Sequence, residues 1–360
     1  MIGRHRTTVV GAALIAAGCA SAGSPGPEAA TAPATVSPSN GDGRETPLYG
    51  DLGSYGRPIV TSSDRAQAYF DEGLLFMYAF GTSIAEASFR AAQAEDPRCA
   101  ACYWGEAWAL APYLNGGMPP GDERRAHAAI QKAKEHADHA SEVERALIEA
   151  FDVRFEAEPV RDRRKRLDTL YAERMGEVAE RFPDDLDVQT LRAEALMLLR
   201  PRRGSVDLEA PDVQRILPIL EGVLARNIRH PGACHLYIHL VEASEEPERA
   251  ERCAEHLGDA IAVSHIHHMP SHIYMNVGRY ADAVRANQRA WHADQKAEFG
   301  GPPGVYPAHN LHMLLFAAVM DGQSAVAIQA SRDLARERGP WAWYVPATLA
   351  RFGRWTEILE

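Results

Sequence analysis

At 360 residues the chain has room for two average globular domains or one elongated array, and 46% hydrophobic residues are enough for a continuous core. A formal net charge of -11, with no basic block large enough to neutralise a run of phosphates, excludes nucleic acid as an expected partner. The one basic cluster, Arg161 to Arg166, alternates with acidic neighbours and reads as a solvated helix face.

The chain opens MIGRHRTTVVGAALIAAGC, with Arg4 and Arg6, an apolar stretch from Val9 to Ala17, and small residues before Cys19. That stretch is too short to span a bilayer as a helix in the mature protein. LIAAGC resembles a bacterial lipobox, although Ala16 stands where that motif prefers Leu. The resemblance implies a signal peptide over 1–19, cut before a lipid-bearing Cys19 that anchors the exported chain to the membrane of the cell envelope; plain secretion is the alternative. Ala20, rather than Asp, follows, which in a Gram-negative host implies the outer membrane. To about Pro47 the chain is then rich in Ala, Pro, Ser and Gly with no apolar period, and a flexible tether is expected over 20–60. Export permits disulfides, and two pairs come into question, Cys99 with Cys102 and Cys234 with Cys253; each pair can equally pack as free thiols.

From Ser63 onward apolar residues recur with a 3.6-residue period, so residues 61–360 are expected to be all-α. AQAYFDEGLLFMYAFGTSIAEASFRAAQAEDP, through Gly73, Ala85, Phe89, Ala92 and Pro97, resembles a tetratricopeptide repeat. HIYMNVGRYADAVRANQRA matches again through Tyr274, Gly278, Tyr280, Ala283 and Ala290, and AAVMDGQSAVAIQ through Gly322 and Ala327. Small residues let paired helices approach, and proline closes the second helix. The resemblance implies a superhelical solenoid of helix-turn-helix units, with starts near Ala66, Ala100, Leu186, Pro231, Ser264, Ala308 and Gly339. The last unit stops just after its second helix should begin, as an abbreviated cap or a truncated chain would. The family specifies an architecture and not a chemistry.

Eleven of the fifteen histidines lie between His230 and His312. His235 and His239, and His268 and His272, are spaced i,i+4, with Glu242 three residues after His239; His309 and His312 are spaced i,i+3. Each set shares one helix face, as chelation by a helix requires. In tetratricopeptide arrays the first helix of each repeat lines a concave groove. That register turns His235, His239, Glu242, His268, His272, His309 and His312 toward it as candidate metal ligands. His265 and Asn276 fall on the same face, whereas His267 turns to the packing side and His230 caps or orients its junction. Pro270, inside a first helix, is expected to kink it or to delay its start to about Met269.

Imidazole with one carboxylate suits a transition metal, copper, iron or zinc, and the absence of cysteine from the groove set argues against a structural zinc site or an iron–sulfur cluster. Glu242 is either a ligand or a partner that fixes an imidazole tautomer. One ion with an open position, or two ions, are both allowed. The same register puts Phe70, Tyr78, Trp104, Trp108 and Trp343 in the groove, as an apolar pocket leading to the histidines or simply as core. GGPPGVYP is a loop inserted before the third histidine helix, a lid or a plain connection. No GxSxG, P-loop or HExxH is present. Two functions from different classes remain: a helical-repeat lipoprotein with a metal site in its groove, with catalysis open, and a scaffold gripping a peptide, partner protein or small ligand there.

Overall fold

The computed structural model describes residues 46–157, 163–201 and 204–359, so the expected leader and Cys19 lie outside the described residues. Regular structure among them is helical, apart from an isolated bridge between Tyr113 and Gly116. The helices are α1 (Asp64–Tyr78), α2 (Thr82–Glu95), α3 (Ala100–Leu110), α4 (Asp122–Glu135), α5 (Glu142–Asp152), α6 (Arg164–Arg181), α7 (Leu186–Met197), α8 (Leu217–Arg226), α9 (Pro231–Val241), α10 (Glu251–Leu257), α11 (Ser264–His268), α12 (Pro270–Asn276), α13 (Tyr280–Gln295), α14 (Pro307–Met320), α15 (Ser324–Leu334), α16 (Tyr344–Arg351) and α17 (Trp355–Leu359). None is long and apolar enough to cross a membrane.

Local chemistry sets the helix starts. Ser63 accepts from the Ala66 N–H to cap α1, Ser141 and Glu144 form a reciprocal capping box at α5, and Asp185 caps α7. Pro231 and Pro307 open α9 and α14 at the turn where a missing N–H costs nothing. Four of the expected starts, Ala100, Leu186, Pro231 and Ser264, are the first residues of helices. The last differs: α16 begins at Tyr344, after Gly339, Trp341 and Trp343.

Helices adjacent in sequence pack in hairpins, and alternate helices also touch: α1 with α3, α3 with α5, α7 with α9, α9 with α12 and α11 with α14. Alternate helices therefore form an inner layer from α1 to α5 and again from α7 to α14. Gly73 allows the close approach in the first hairpin, since a Cβ there would lie 2.6 Å from the Phe89 ring. A contact of α1 with α9 brings the first hairpin against the fifth, so the stack curls back on itself.

The tether expected over 20–60 is corrected for its described part. Residues 46–60 lie along the helices as a belt: Leu52 is buried, its carbonyl accepts from the Ala262 N–H at 2.7 Å, and the Tyr69 hydroxyl donates to the Thr46 carbonyl at 2.7 Å. Arg57 forms ion pairs with Asp185 at 2.6 Å and Asp187 at 2.9 Å. Both cysteine pairs are disulfides, Cys99–Cys102 at the start of α3 and Cys234–Cys253 between α9 and α10.

Candidate metal centre

Three successive first helices deliver the histidines. His235 and His239 stand one turn apart on α9, His265 and His268 come from α11, His272 from α12 and His309 from α14. Pro270 divides the second of these, into α11 and α12, without delaying its start: Met269 keeps helical dihedrals, and its N–H still donates to the His265 carbonyl at 3.0 Å. His268 is therefore held in a formed turn and fully buried, and His272 follows one turn later on the same side.

Among the described residues these six form two sets, His235 with His239 and His265, and His268 with His272 and His309; within each set one donor atom per residue lies within 4.8 Å of the others. Either set could hold a metal ion. Ring centroids within the first set are 4.8 to 6.4 Å apart, and within the second 4.6 to 5.8 Å. The sets adjoin, with His265 and His268 5.7 Å apart and His239 and His272 6.4 Å apart.

The outward nitrogens are committed. His235 Nδ1 donates to the Tyr78 carbonyl at 2.6 Å, and His239 Nδ1 to Glu242 Oε1 at 2.9 Å. His272 Nδ1 donates to Glu242 Oε2 at 2.6 Å. His268 Nδ1 lies 2.7 Å from Asn287 Oδ1, whose orientation is set because its own amide donates to the Ala283 carbonyl. Such contacts put a proton on Nδ1; in His235 and His239 the Nε2 lone pair then faces inward, the tautomer that metal ligation uses, whereas His268 and His272 meet Nε2 to Nε2 at 2.8 Å and hold one further proton between them. Nε2 of His235 and of His239, and both ring nitrogens of His265, are buried without a hydrogen-bond partner. An unsatisfied buried polar atom costs about 1–3 kcal/mol, and here three rings converge in that state.

Burial favours uncharged imidazoles. It pushes His235, His265 and His268 well below their usual range, and neighbouring histidines add to the effect; His309 falls to about 3 by burial and by the charge of His272. For Glu242 burial alone would raise the carboxyl, yet His272 and the hydrogen bonds from both histidines hold it well below the carboxylate range. Neutral nitrogens beside an ionised carboxylate make a receptive site for a cation.

Several expected roles change. Of the two roles open to Glu242, its contacts are those of an orienting partner, since it spans the two sets and holds one histidine in each. His265, expected only to line the groove, belongs to the first set. His312 falls outside both: its Nε2 is 2.6 Å from the Tyr344 hydroxyl and its ring packs against Phe316 and Trp341. Asn276 donates to the backbone carbonyls of Glu242 and His272 and so buttresses α9 against α12. Trp343 precedes α16 and is 58% exposed, away from any groove. His267 donates to the Gly258 carbonyl, and His230 caps α9 through Nδ1, the roles the register assigns them.

Phe70 and Trp104 are core rather than pocket, with Phe70 packed on Phe89 and Trp104 on Trp108 and Phe151. What remains beside them is a narrow cleft lined by Tyr78, Phe80, Trp108, Thr190, Glu194 and His235, with room for little more than a water molecule. Burial pushes the Glu194 carboxyl in that cleft up to about 7. Gly232 lies where a Cβ would fall 2.4 Å from the Tyr78 ring, so α9 seats directly on α1.

Three aromatic residues that periodicity does not single out cover the first set. Phe80 lies 4.2 Å from His235 and stacks on His239 and His265, and Tyr306 meets His265 edge-on at 5.0 Å. The Tyr306 and Tyr113 hydroxyls are hydrogen-bonded at 2.6 Å, joining the GGPPGVYP loop to the loop after α3. Phe80 and Tyr306 are the two non-glycine residues with positive φ among the described residues, at 57° and 60°. Left-handed backbone costs an L-residue about 1–2 kcal/mol, and such strain gathers at functional sites.

An ion held by three imidazoles keeps an open coordination position, so the arrangement allows Lewis-acid or redox chemistry. No family model matches the chain, and no curated protein matches it.

Proposed function

We propose that this chain is an exported, lipid-anchored helical-repeat protein of tetratricopeptide type that binds a transition metal on the inner layer of its stack. The observation that carries the metal is the convergence of six imidazoles, four of which donate from their outward nitrogens to a backbone carbonyl, a shared carboxylate or a side-chain amide. Peptide-gripping grooves need accessible polar side chains; here four of the six histidines are buried, two are half-buried, and they face one another. The stacked hairpins and inner layer support the repeat reading, and two disulfides are in keeping with export.

Elemental analysis of the full chain, expressed without a histidine tag and supplied in turn with copper, zinc and iron, tests the metal. Retention of stoichiometric metal by the wild type, with loss in a His268→Ala, His272→Ala double variant of unchanged helicity, is the expected result. A wild type that comes through desalting metal-free under all three supplies sinks the reading. Labelling with a radioactive fatty acid in a bacterial host, abolished by Cys19→Ala, tests the anchor separately.

A further inference from the structure

We propose that the two histidine triads hold two copper ions, one in each, facing each other across a shared small oxygen-donor anion such as hydroxide. This deepens the metal reading and rests on it.

The donor atoms decide the number of ions. A single ion holding all six imidazoles would need opposite nitrogens only about 4.2 Å apart, twice an ordinary metal–nitrogen bond. The donors instead divide into two sets of three, each compact in itself. Three nitrogens are a sufficient protein complement for an ion that keeps one position open. In the first triad, Nε2 of His235 and of His239 and both nitrogens of His265 have no other partner.

The spacing decides whether the ions share a ligand. Rings across the boundary, at 5.7 Å for His265 and His268 and 6.4 Å for His239 and His272, are as close as rings within a triad. Ions seated in such neighbouring sets approach the roughly 3.5–4 Å at which two metals clamp one oxygen. Glu242 ties the halves together, with Oε1 on His239 and Oε2 on His272. One carboxylate thereby orients a ligand of each ion at once, a link that two independent sites do not need.

Charge and donor type decide the metal and the bridge. Six neutral imidazoles bring no negative charge, and Glu242 is the acidic group that contacts them. Two divalent ions in so buried a place call for an anion between them, and a single oxygen atom is enough to bridge ions at that spacing. Copper stands highest in affinity for nitrogen donors in the divalent series. Mononuclear iron sites commonly include a carboxylate ligand and manganese prefers oxygen donors, neither of which these triads supply.

The test is copper loading of the untagged full chain, removal of excess, and copper quantitation beside electron paramagnetic resonance of the cupric form, with zinc competing at equal concentration. The expected result is two coppers per chain, retained over zinc, with a resonance accounting for well under half of the copper because the bridged spins pair. His235→Gln and His309→Gln should each lower the content to about one copper and restore a full signal from the ion that remains. One copper in the wild type, two with a full uncoupled signal, or preferential retention of zinc each overturns the proposal while leaving the metal reading intact. No copper, zinc or iron at all overturns both. The spin measurement on the wild type is decisive even where a variant fails to fold.

Discussion

His268 and His272 face each other Nε2 to Nε2 at 2.8 Å, while their Nδ1 atoms point outward to Asn287 and Glu242. Two lone pairs do not make such a contact, so in the metal-free protein one of these nitrogens carries a proton between them. An ion entering the second triad takes its place. Metal binding at neutral pH should release about one proton per chain from this pair. Calorimetric titration in buffers of different ionisation enthalpy measures it, and a binding enthalpy independent of the buffer contradicts it.

Glu242 serves both triads through one side chain, so its replacement should act on metal and not on fold. A glutamine can accept from one Nδ1–H but turns its NH2 toward the other. Glu242→Gln is expected to weaken metal binding about 10–100-fold, the usual cost of losing such an orienting partner, with helicity unchanged. Competition against a chromophoric chelator reads the affinity; an unaltered value sinks the assigned role.

Acid should weaken the metal-free fold over a defined range. His235, His265 and His268 are held well below their usual range and His309 at about 3, whereas an unfolded histidine binds its proton near pH 6.5. The unfolded chain therefore binds more protons below about pH 6.5, and stability declines from there toward about pH 3. Each such histidine contributes a slope of roughly 1.4 kcal/mol per pH unit. Urea unfolding of metal-free protein at pH 7.5, 6.0 and 5.0 measures it, and a midpoint that stays level contradicts the burial of uncharged rings.

The hydroxyl pair Tyr113 and Tyr306 joins two inserted loops above the first triad. Tyr306→Phe should cost about 0.5–1.5 kcal/mol and speed removal of metal by a chelator. Adding Tyr113→Phe to it should then change little further, because the bond is already gone. Strictly additive effects on the chelation rate would show that the loops do not act together.

Much of the centre was legible in the sequence, and the reason lies in helix geometry. The i,i+4 pairs His235 and His239, and His268 and His272, share a face whatever surrounds them. Which faces meet depends on how the hairpins stack, and that is where His265 and His312 change places. His312 lies one turn beyond His309 and follows the stack outward to Tyr344, while His265, one turn before His268, reaches back to α9. Phe80, Tyr113 and Tyr306 sit at a helix end and in loops, where no period marks them. The belt left a fainter sign, since Tyr49, Leu52 and Tyr55 place apolar groups at regular intervals in a segment whose Gly and Pro content otherwise reads as linker.

Tyr78 faces two ways. Its carbonyl holds His235 Nδ1, and its hydroxyl donates at 2.5 Å to Asp187, which also receives Arg57 and Tyr55 of the belt and lies beside His230. The belt is fastened to α1 through Thr46 and Tyr49, and Arg57 further along links it to Asp187. From Arg57 the contacts run through Asp187 and one tyrosine to the peptide group that orients a metal ligand. Arg57→Ala, joined to His235 only through Asp187 and Tyr78, should accordingly raise the rate at which a chelator strips the first triad while leaving the second nearly as it was. Docking of the belt and retention of the metal would then be properties of a single short path through the molecule.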